Sequence, residues 1–307
     1  MAGATPLEPA GGPAAGHGGM LVHLNGALVP EGQARVSVWD RGFLLGDGVY
    51  EYVRYFAGVG VALDLHEARL ARSLSLAGIA GFPASHLAAI GRSLLEANGL
   101  RDAGVYLQVT RGTGNARAHL PPPGLVPTVF ACAAPSPPIE DFTEPERMRA
   151  IVRPDMRWHR CEIKTISLAG NVLALLEAQG AGADECILVR DGLVGEGAYT
   201  NAAALLRGTL VTCPLDDGAS PVLHGTMRHW MLEAAREAGI PAEVRRLHAG
   251  ELAGATEVLL QSSRRLVAAV THLDGRAVGD GTAGPACRAI FAAMRARVLR
   301  DIAAGHR

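Results

Sequence analysis

One segment of the chain reads Arg157-Trp158-His159-Arg160-Cys161-Glu162-Ile163-Lys164-Thr165 and contains the only lysine among 307 residues. The lysine lies in a short strand-like stretch, directly ahead of a predicted helix over Leu168–Gly180. Burying a lysine ammonium costs free energy unless the amine has a chemical use. The simpler interpretation is a solvated lysine at the end of a strand. The segment alone leaves both interpretations open.

The surrounding sequence predicts a mixture of strands, hairpins and helices. Strands and turns are predicted at the Asn25-Gly26 hairpin, Val49–Phe56, Val105–Val109, Thr128–Ala134, Met148–Val152, Cys186–Val189 and residues 256–262. Helices are predicted over Leu65–Ala80, from Ser85 to Gly99, over Thr226–Ala238 and from Pro285 onwards. The irregular order favours an α+β fold over a doubly wound parallel sheet.

A cluster of prolines after residue 120 indicates the domain boundary. We expect a disordered tail over residues 1–19, a small N-terminal domain over 20–134, a linker over 135–141 and a large domain over 142–307. The tail is rich in Ala, Gly and Pro and lacks the basic start of a signal peptide.

Composition excludes several classes of protein. Lys and Arg number 29 against 30 Asp and Glu, so no chain-wide charge favours nucleic acid or anionic membrane. Hydrophobic residues make up 49% of the chain, which indicates a globular core, and no run of about 18 apolar residues predicts a membrane span. Five scattered cysteines without a CxxC pair suggest neither disulfides nor a metal site, and they favour a cytoplasmic protein.

Several segments outside the lysine region carry a recognisable pattern. They are Asp40–Glu51, Leu65–Leu70, Gln108–Gly112, Asn171–Ala174, Ile187–Gly192 and Glu196-Gly197. Together with Arg157–Lys164, their order and spacing resemble the fold-type IV pyridoxal-phosphate aminotransferases, and the D-amino-acid enzymes more than the branched-chain ones. The resemblance covers about nine tenths of the chain. It implies a smaller N-terminal α/β domain and a larger, pseudo-barrel-like domain, with pyridoxal phosphate at their interface.

The resemblance also implies the residues that bind the cofactor. Lys164 would form the Schiff base and move a proton, and Glu196 would pair with the pyridine nitrogen. Phosphate donors would be Arg69, Ser262, Ser263 and the helix start at Thr226-Met227, and Leu223 would back the ring. Without the family pattern, Glu196 would be interpreted as a solvated hairpin residue and Arg69 as an exposed partner of Asp64 or Glu67.

Three residues match the substrate-carboxylate site of the D-amino-acid enzymes: Tyr50, Arg117 and His119. An arginine offers a bidentate fork to a carboxylate, while tyrosine and histidine add oriented donors. The alternatives are a core position for Tyr50 and simple solvent exposure for the other two.

Four departures from the family pattern leave substrate preference and cofactor affinity open. Met227 replaces a hydroxyl residue before the phosphate helix, although Thr226 could substitute for it. Tyr199 replaces a serine, Arg264-Arg265 replaces a Ser/Thr-rich segment, and Arg54 is expected near the entrance. These cations could favour a second, side-chain carboxylate.

The resulting hypothesis is a homodimeric, ping-pong transaminase that moves the amino group of a D-amino acid to a 2-oxo acid such as 2-oxoglutarate. An (R)-amine transaminase or an aminodeoxychorismate lyase on the same fold is the alternative, although an amine-only enzyme would have no use for a carboxylate site. A pyridoxal-phosphate carrier without turnover is a third possibility, which retention of both Lys164 and Glu196 disfavours.

Overall fold

The computed structural model describes residues 19–215 and 222–305. Residues 1–18 of the predicted tail lie outside the described residues. Within the described residues, every helix is too short or too polar to cross a membrane.

The N-terminal half forms a six-stranded antiparallel sheet with helices packed against it. Its strands are β1 (Leu21–Leu24), β2 (Ala27–Pro30), β3 (Gly48–Phe56), β4 (Val59–Gly60), β5 (Ala103–Thr110) and β6 (Thr128–Pro135). Its helices are α1 (Arg41–Leu45), α2 (Leu63–Ala77) and α3 (His86–Ala97). The strand order β2-β1-β6-β5-β3-β4 places β3 and β5, which are mostly buried, near one end of the sheet. The predicted hairpin at Asn25-Gly26 is confirmed as the β1–β2 connection.

Helix α2 ends three residues earlier than the sequence predicts. Gly78 adopts a left-handed conformation with φ of 64°, and its N–H donates to the carbonyls of Leu74 and Ser75. This arrangement satisfies carbonyls that the end of a helix otherwise leaves unpaired. The apolar periodicity continues past Gly78, which explains the longer prediction.

The C-terminal half forms a second sheet. Its strands are β7 (Glu146–Pro154), β8 (Glu185–Arg190), β9 (Leu193–Gly197), β10 (Asn201–Leu206), β11 (Thr209–Thr212), β12 (Ala242–Val244), β13 (Glu257–Ser262), β14 (Leu266–Leu273) and β15 (Arg276–Ala277). Its helices are α4 (Ala169–Gly180), α5 (Thr226–Glu237) and α6 (Pro285–Ala304). The order is β12-β11-β10-β13-β14-β7-β8-β9, and a further pairing of β9 with β10 closes six strands into a ring. The α+β prediction is confirmed.

The closing contact of this ring positions a functional side chain. Glu196 on β9 faces Asn201 on β10 at the one register pair that joins these strands. Helices α5 and α6 pack outside the ring through Trp230, Met231 and Phe291 in one large apolar cluster. Phe56 of the first sheet lies in the same cluster, so the two halves share a core. The predicted domain boundaries stay a prediction.

Candidate active site

A cavity of about 1100 Å³ lies between β3 of the first sheet and the closed ring of the second. It is bordered by nine of the predicted site residues: Tyr50, Arg69, Lys164, Glu196, Leu223, Thr226, Met227, Ser262 and Ser263. Residues as far apart in sequence as Tyr50 and Ser263 therefore meet in one place.

Lys164 lies on an irregular segment, and the prediction of a strand there is wrong. Its carbonyl accepts a hydrogen bond from the Tyr50 N–H at 2.9 Å, and its own N–H donates to Ser73 Oγ at 3.2 Å. These contacts attach the segment to β3 and α2. The amine Nζ lies 4.2 Å from the centre of the Tyr50 ring. Lys164 is thus a half-buried amine at the cavity wall, which contradicts the interpretation as a solvated strand-end residue.

Glu196 is buried, with 4% of its surface exposed, so the interpretation as a solvated hairpin residue is also wrong. Its Oε1 accepts from Arg157 Nη1 at 2.8 Å, and its Oε2 accepts from the Leu223 N–H at 2.9 Å and Asn201 Nδ2 at 3.1 Å. Burial raises the pKa of the Glu196 carboxyl, while Arg157 opposes that shift. The carboxylate is held in one orientation at the cavity wall.

Arg157 belongs to the segment that contains Lys164, but the sequence alone predicts no role for it. Its guanidinium bridges Glu196 and Asp155, with Nε at 3.0 Å from Asp155 Oδ1. Arg190 Nη2 reaches the same Asp155 carboxylate at 3.1 Å. Burial would lower the pKa of Arg157, but the charges of Glu196 and Asp155 outweigh burial and raise it. The residue is a fixed cation that favours the ionised form of Glu196.

Arg69 is buried and pairs with Glu51 on β3, so the alternative partners Asp64 and Glu67 are excluded. Arg69 Nε and Nη2 donate to the two Glu51 oxygens at 2.8 and 2.7 Å. His66 Nδ1 lies 2.6 Å from Glu51 Oε2. Burial would raise the pKa of Glu51, but Arg69 and then His66 hold it far below its usual range. Glu51 thereby fixes the Arg69 guanidinium where it borders the cavity.

The other face of His66 meets the hydroxyl groups of the cavity. His66 Nε2 lies 3.4 Å from Thr226 Oγ1 and 3.5 Å from Ser263 Oγ. Burial lowers the pKa of His66, with Glu51 opposing. The sequence offered a signal for both residues, since Glu51 and His66 belong to the segments Asp40–Glu51 and Leu65–Leu70, but it gave neither a role.

The residues around Arg69 fit a phosphate group. Ser262 Oγ is buried and has no hydrogen-bond partner within the described residues. Helix α5 begins at Thr226, next to the cavity, and the first N–H groups of a helix attract anions. A Cβ on Gly225 would lie 1.7 Å from Asn201 Oδ1, so only glycine fits at this start. A cationic guanidinium, hydroxyls and a helix N-terminus together form an anion site.

Met227 faces the core and supplies no hydroxyl to the cavity, as the sequence predicts for this departure from the family pattern. It is 2% exposed and packs in the cluster that contains Trp230 and Met231, although it also borders the cavity. Thr226, the neighbouring residue, brings its hydroxyl to His66 instead.

Glu185 is a buried carboxylate that sequence reasoning missed. Its oxygens accept from the Ala198 N–H at 3.0 Å and from Thr200 Oγ1 at 2.9 Å. Burial raises its pKa to about 6. Glu185 therefore holds the loop that follows Glu196 and that carries Tyr199 along the cavity wall.

The three residues predicted to bind the substrate carboxylate do not lie together in the described chain. The Tyr50 ring borders the cavity and lies 5.5 Å from the Tyr106 ring. Arg117 and His119 are exposed on the loop after β5, and neither borders the cavity within the described residues. Arg41 fixes this loop, because its guanidinium donates to the carbonyls of Ala118 and His119 at 2.6 and 2.9 Å.

The three cations expected near the entrance occupy different environments. Arg54 is buried against Phe56 and donates to the Pro137 carbonyl. The prediction that it lies near the entrance is therefore wrong. Arg265 borders the cavity, 5.4 Å from the Tyr199 ring. Arg264 borders the cavity and is exposed. In the described ranges, no group of three or more His, Cys, Asp or Glu side chains could hold a metal ion.

Comparison with known proteins agrees with this arrangement. Residues 48–273 match the family model of class IV aminotransferases. The D-alanine aminotransferase of Bacillus licheniformis is 36% identical over 92% of this chain and 99% of its own length. That of Staphylococcus haemolyticus is 34% identical, over 87% of this chain and 94% of its own.

Solved structures agree on the fold. A branched-chain aminotransferase from Thermoproteus uzoniensis superposes with a TM-score of 0.81 at 27% identity, covering 94% of this chain and 96% of that one. A fold IV transaminase from Curtobacterium pusillum gives 0.76 at 27% identity, covering 91% and 93%. The predicted fold type is confirmed, and the chain belongs to the class IV aminotransferases.

Proposed function

We propose that this aminotransferase uses pyridoxal phosphate to move the amino group of a D-amino acid, such as D-alanine or D-glutamate, to a 2-oxo acid. One observation carries the proposal: a lysine amine, a buried carboxylate and an anion site border the same cavity. The similarity to D-alanine aminotransferases supports the D-amino acid as substrate, rather than an amine or aminodeoxychorismate. A cytoplasmic location belongs to the same proposal.

The residues present fit pyridoxal phosphate. Lys164 would hold it covalently, Glu196 would pair with the pyridine nitrogen, and Leu223 would contact the ring. The unpaired Ser262 hydroxyl, with Arg69 and the remaining donors of the anion site, would hold the phosphate. When bound, the cofactor supplies an electron sink for the electrons left at the substrate Cα.

Side chains of this protein would transfer the proton, bind the pyridine nitrogen and orient the substrate. Lys164 Nζ would take the proton from the substrate Cα and hold it for return to the cofactor. Arg157 opposes the effect of burial on the pKa of Glu196 and favours its ionised form, which would stabilise a protonated pyridine nitrogen. Tyr50, at the wall beside Lys164, would orient the substrate carboxylate.

We propose that Arg117 and His119 complete this carboxylate site in a second copy of the chain, within a homodimer. On their own chain they face solvent, on a loop fixed by Arg41. Large apolar residues of α4 that border the cavity are exposed, notably Val172 at 52% and Leu176 at 56%. Exposed apolar surface of this kind marks protein interfaces.

The activity is tested by absorbance spectra of the purified holoenzyme with single substrates. We expect D-alanine to convert the bound cofactor to pyridoxamine phosphate, and L-alanine and (R)-1-phenylethylamine to leave it unchanged. Conversion by the amine but not by D-alanine would identify an amine transaminase instead. No conversion by any donor would contradict the proposal.

The shared site is tested by mixing two inactive variants, Lys164→Ala and Arg117→Ala/His119→Ala, after reversible dissociation. A mixed dimer contains one site with both intact sets, so we expect activity to return to about a quarter of wild type under random assortment. Failure of any mixture to regain activity, with dimers present by light scattering, would mean that the two sets act on one chain.

A further inference from the structure

Five cations of the described residues border the cavity, and four of them already have a role. Arg69 pairs with Glu51, Arg157 with Glu196 and Asp155, and Lys164 is the amine of the proposed reaction. Arg265 Nε lies 2.5 Å from Glu146 Oε2. Arg264 is different, because it forms no hydrogen bond or ion pair within residues 19–215 and 222–305.

Arg264 also lies close enough to the buried Arg54 for the two positive charges to repel each other. It directly follows Ser262 and Ser263, which border the cavity, and it is itself exposed. The pKa of the buried Arg54 is lowered, first by burial and in a small part by the charge of Arg264. The positive charge of Arg264 would attract an anion, and the bound anion would weaken the repulsion between Arg264 and Arg54.

We propose that Arg264 is a specificity-determining residue that binds the second carboxylate of an acidic substrate, such as D-glutamate or 2-oxoglutarate. The inference rests on the proposed function, in which Tyr50, Arg117 and His119 bind the α-carboxylate. A guanidinium binds a carboxylate through two parallel N–H donors, and this guanidinium is not engaged elsewhere in the described chain. Its exposed position limits the gain, because water competes for both charges.

The neighbouring Arg265 is not available for the same role, because it already has partners. Its pairing with Glu146 and its position over the Tyr199 ring hold it to one side of the cavity wall. Arg265 is thereby occupied, so the two adjacent arginines have different tasks. The sequence alone shows both as equivalent cations.

The test compares half-reactions of the holoenzyme with D-glutamate and with D-alanine. The readout is the ratio of the two apparent second-order rate constants, measured for wild type, Arg264→Gln and Arg264→Lys. We expect Arg264→Gln to lower the D-glutamate to D-alanine ratio about tenfold, as for loss of a charge-assisted hydrogen bond. Arg264→Lys keeps the charge without the fork, so we expect an intermediate ratio.

Arg300→Gln is the matched control, since it removes one exposed arginine charge from α6. We expect its ratio to lie within about twofold of wild type, because Arg300 does not border the cavity and its exposed charge is screened. An unchanged ratio in Arg264→Gln would overturn the inference, and an equal loss for both donors would assign Arg264 to the α-carboxylate instead. If wild type converts neither donor, the proposed function itself has failed.

Discussion

Glu51→Gln tests how the anion site is held together. Glu51 is fully buried and accepts hydrogen bonds from Arg69 Nε, Arg69 Nη2 and His66 Nδ1 at 2.6–2.8 Å. A glutamine keeps the shape but has one accepting oxygen and no charge, so the buried Arg69 cation loses its counter-charge. Breaking a buried ion pair in this way costs about 3 kcal/mol of unfolding free energy at neutral pH.

The measurement is urea unfolding of the cofactor-free protein, followed by circular dichroism. Glu243→Gln is the control, because it removes a carboxylate that contacts Arg245 at 3.3 Å with 58% of its side chain exposed. Such a surface pair contributes about 0.5 kcal/mol. A loss in Glu51→Gln no larger than in Glu243→Gln would refute the reasoning.

The effect has a defined pH dependence. The pKa of Glu51 is lowered in the folded state. The contribution of Glu51 to the free energy of unfolding is therefore present above the ordinary glutamate pKa and is lost as the pH falls. The difference between wild type and Glu51→Gln should therefore shrink in acid.

Three other predictions concern the remaining carboxylates and the phosphate donors. Glu196→Gln should lower kcat by about 100-fold with little change in the pyridoxal phosphate Kd, because ring pairing is lost but the phosphate contacts remain; an unchanged kcat would contradict the assigned role. Arg69→Gln should weaken pyridoxal phosphate at least about tenfold more than it weakens pyridoxal, measured by fluorescence titration, since only the first carries a phosphate. Burial raises the pKa of Glu185 from 4.5 to about 6, so its contribution to stability is full below the ordinary pKa and is lost as the pH rises through 6. Wild type should lose roughly 2 kcal/mol between pH 4.5 and 7 relative to Glu185→Gln, and parallel stability curves would disprove this.

The sequence predicts well the features that depend on local pattern. The Asn25-Gly26 hairpin needs only adjacent residues, and the helix from Thr226 needs only its apolar periodicity. The role of Lys164 stays a prediction, which rests on the lysine that the family pattern requires and on the absence of any other lysine from the chain.

The features that the sequence did not predict depend on long-range packing. Arg69 could be paired with Asp64 or Glu67 from helix spacing, but its partner is Glu51, because β3 passes beside α2. Glu196 meets Arg157, 39 residues away, because β8 pairs with both β7 and β9 and so brings the end of β7 close to β9. No local pattern specifies either contact.

Arg117 and His119 illustrate a different limit. Their motif predicts a carboxylate-binding loop, yet on the single chain they are exposed and outside the cavity within the described residues. In the homodimer that we propose, their distance from the reacting groups is set by the assembly of two copies, which depends on surface shape and not on the motif.

The most direct test of the account is borohydride reduction of the holoenzyme, followed by trypsin and mass spectrometry. Because Lys164 is the only lysine, we predict one phosphopyridoxyl group, and it should block cleavage after Lys164 and leave the peptide Cys161–Arg190 intact. Recovery of the cleaved, unmodified peptide from protein that is fully active and loaded with cofactor would contradict the central claim.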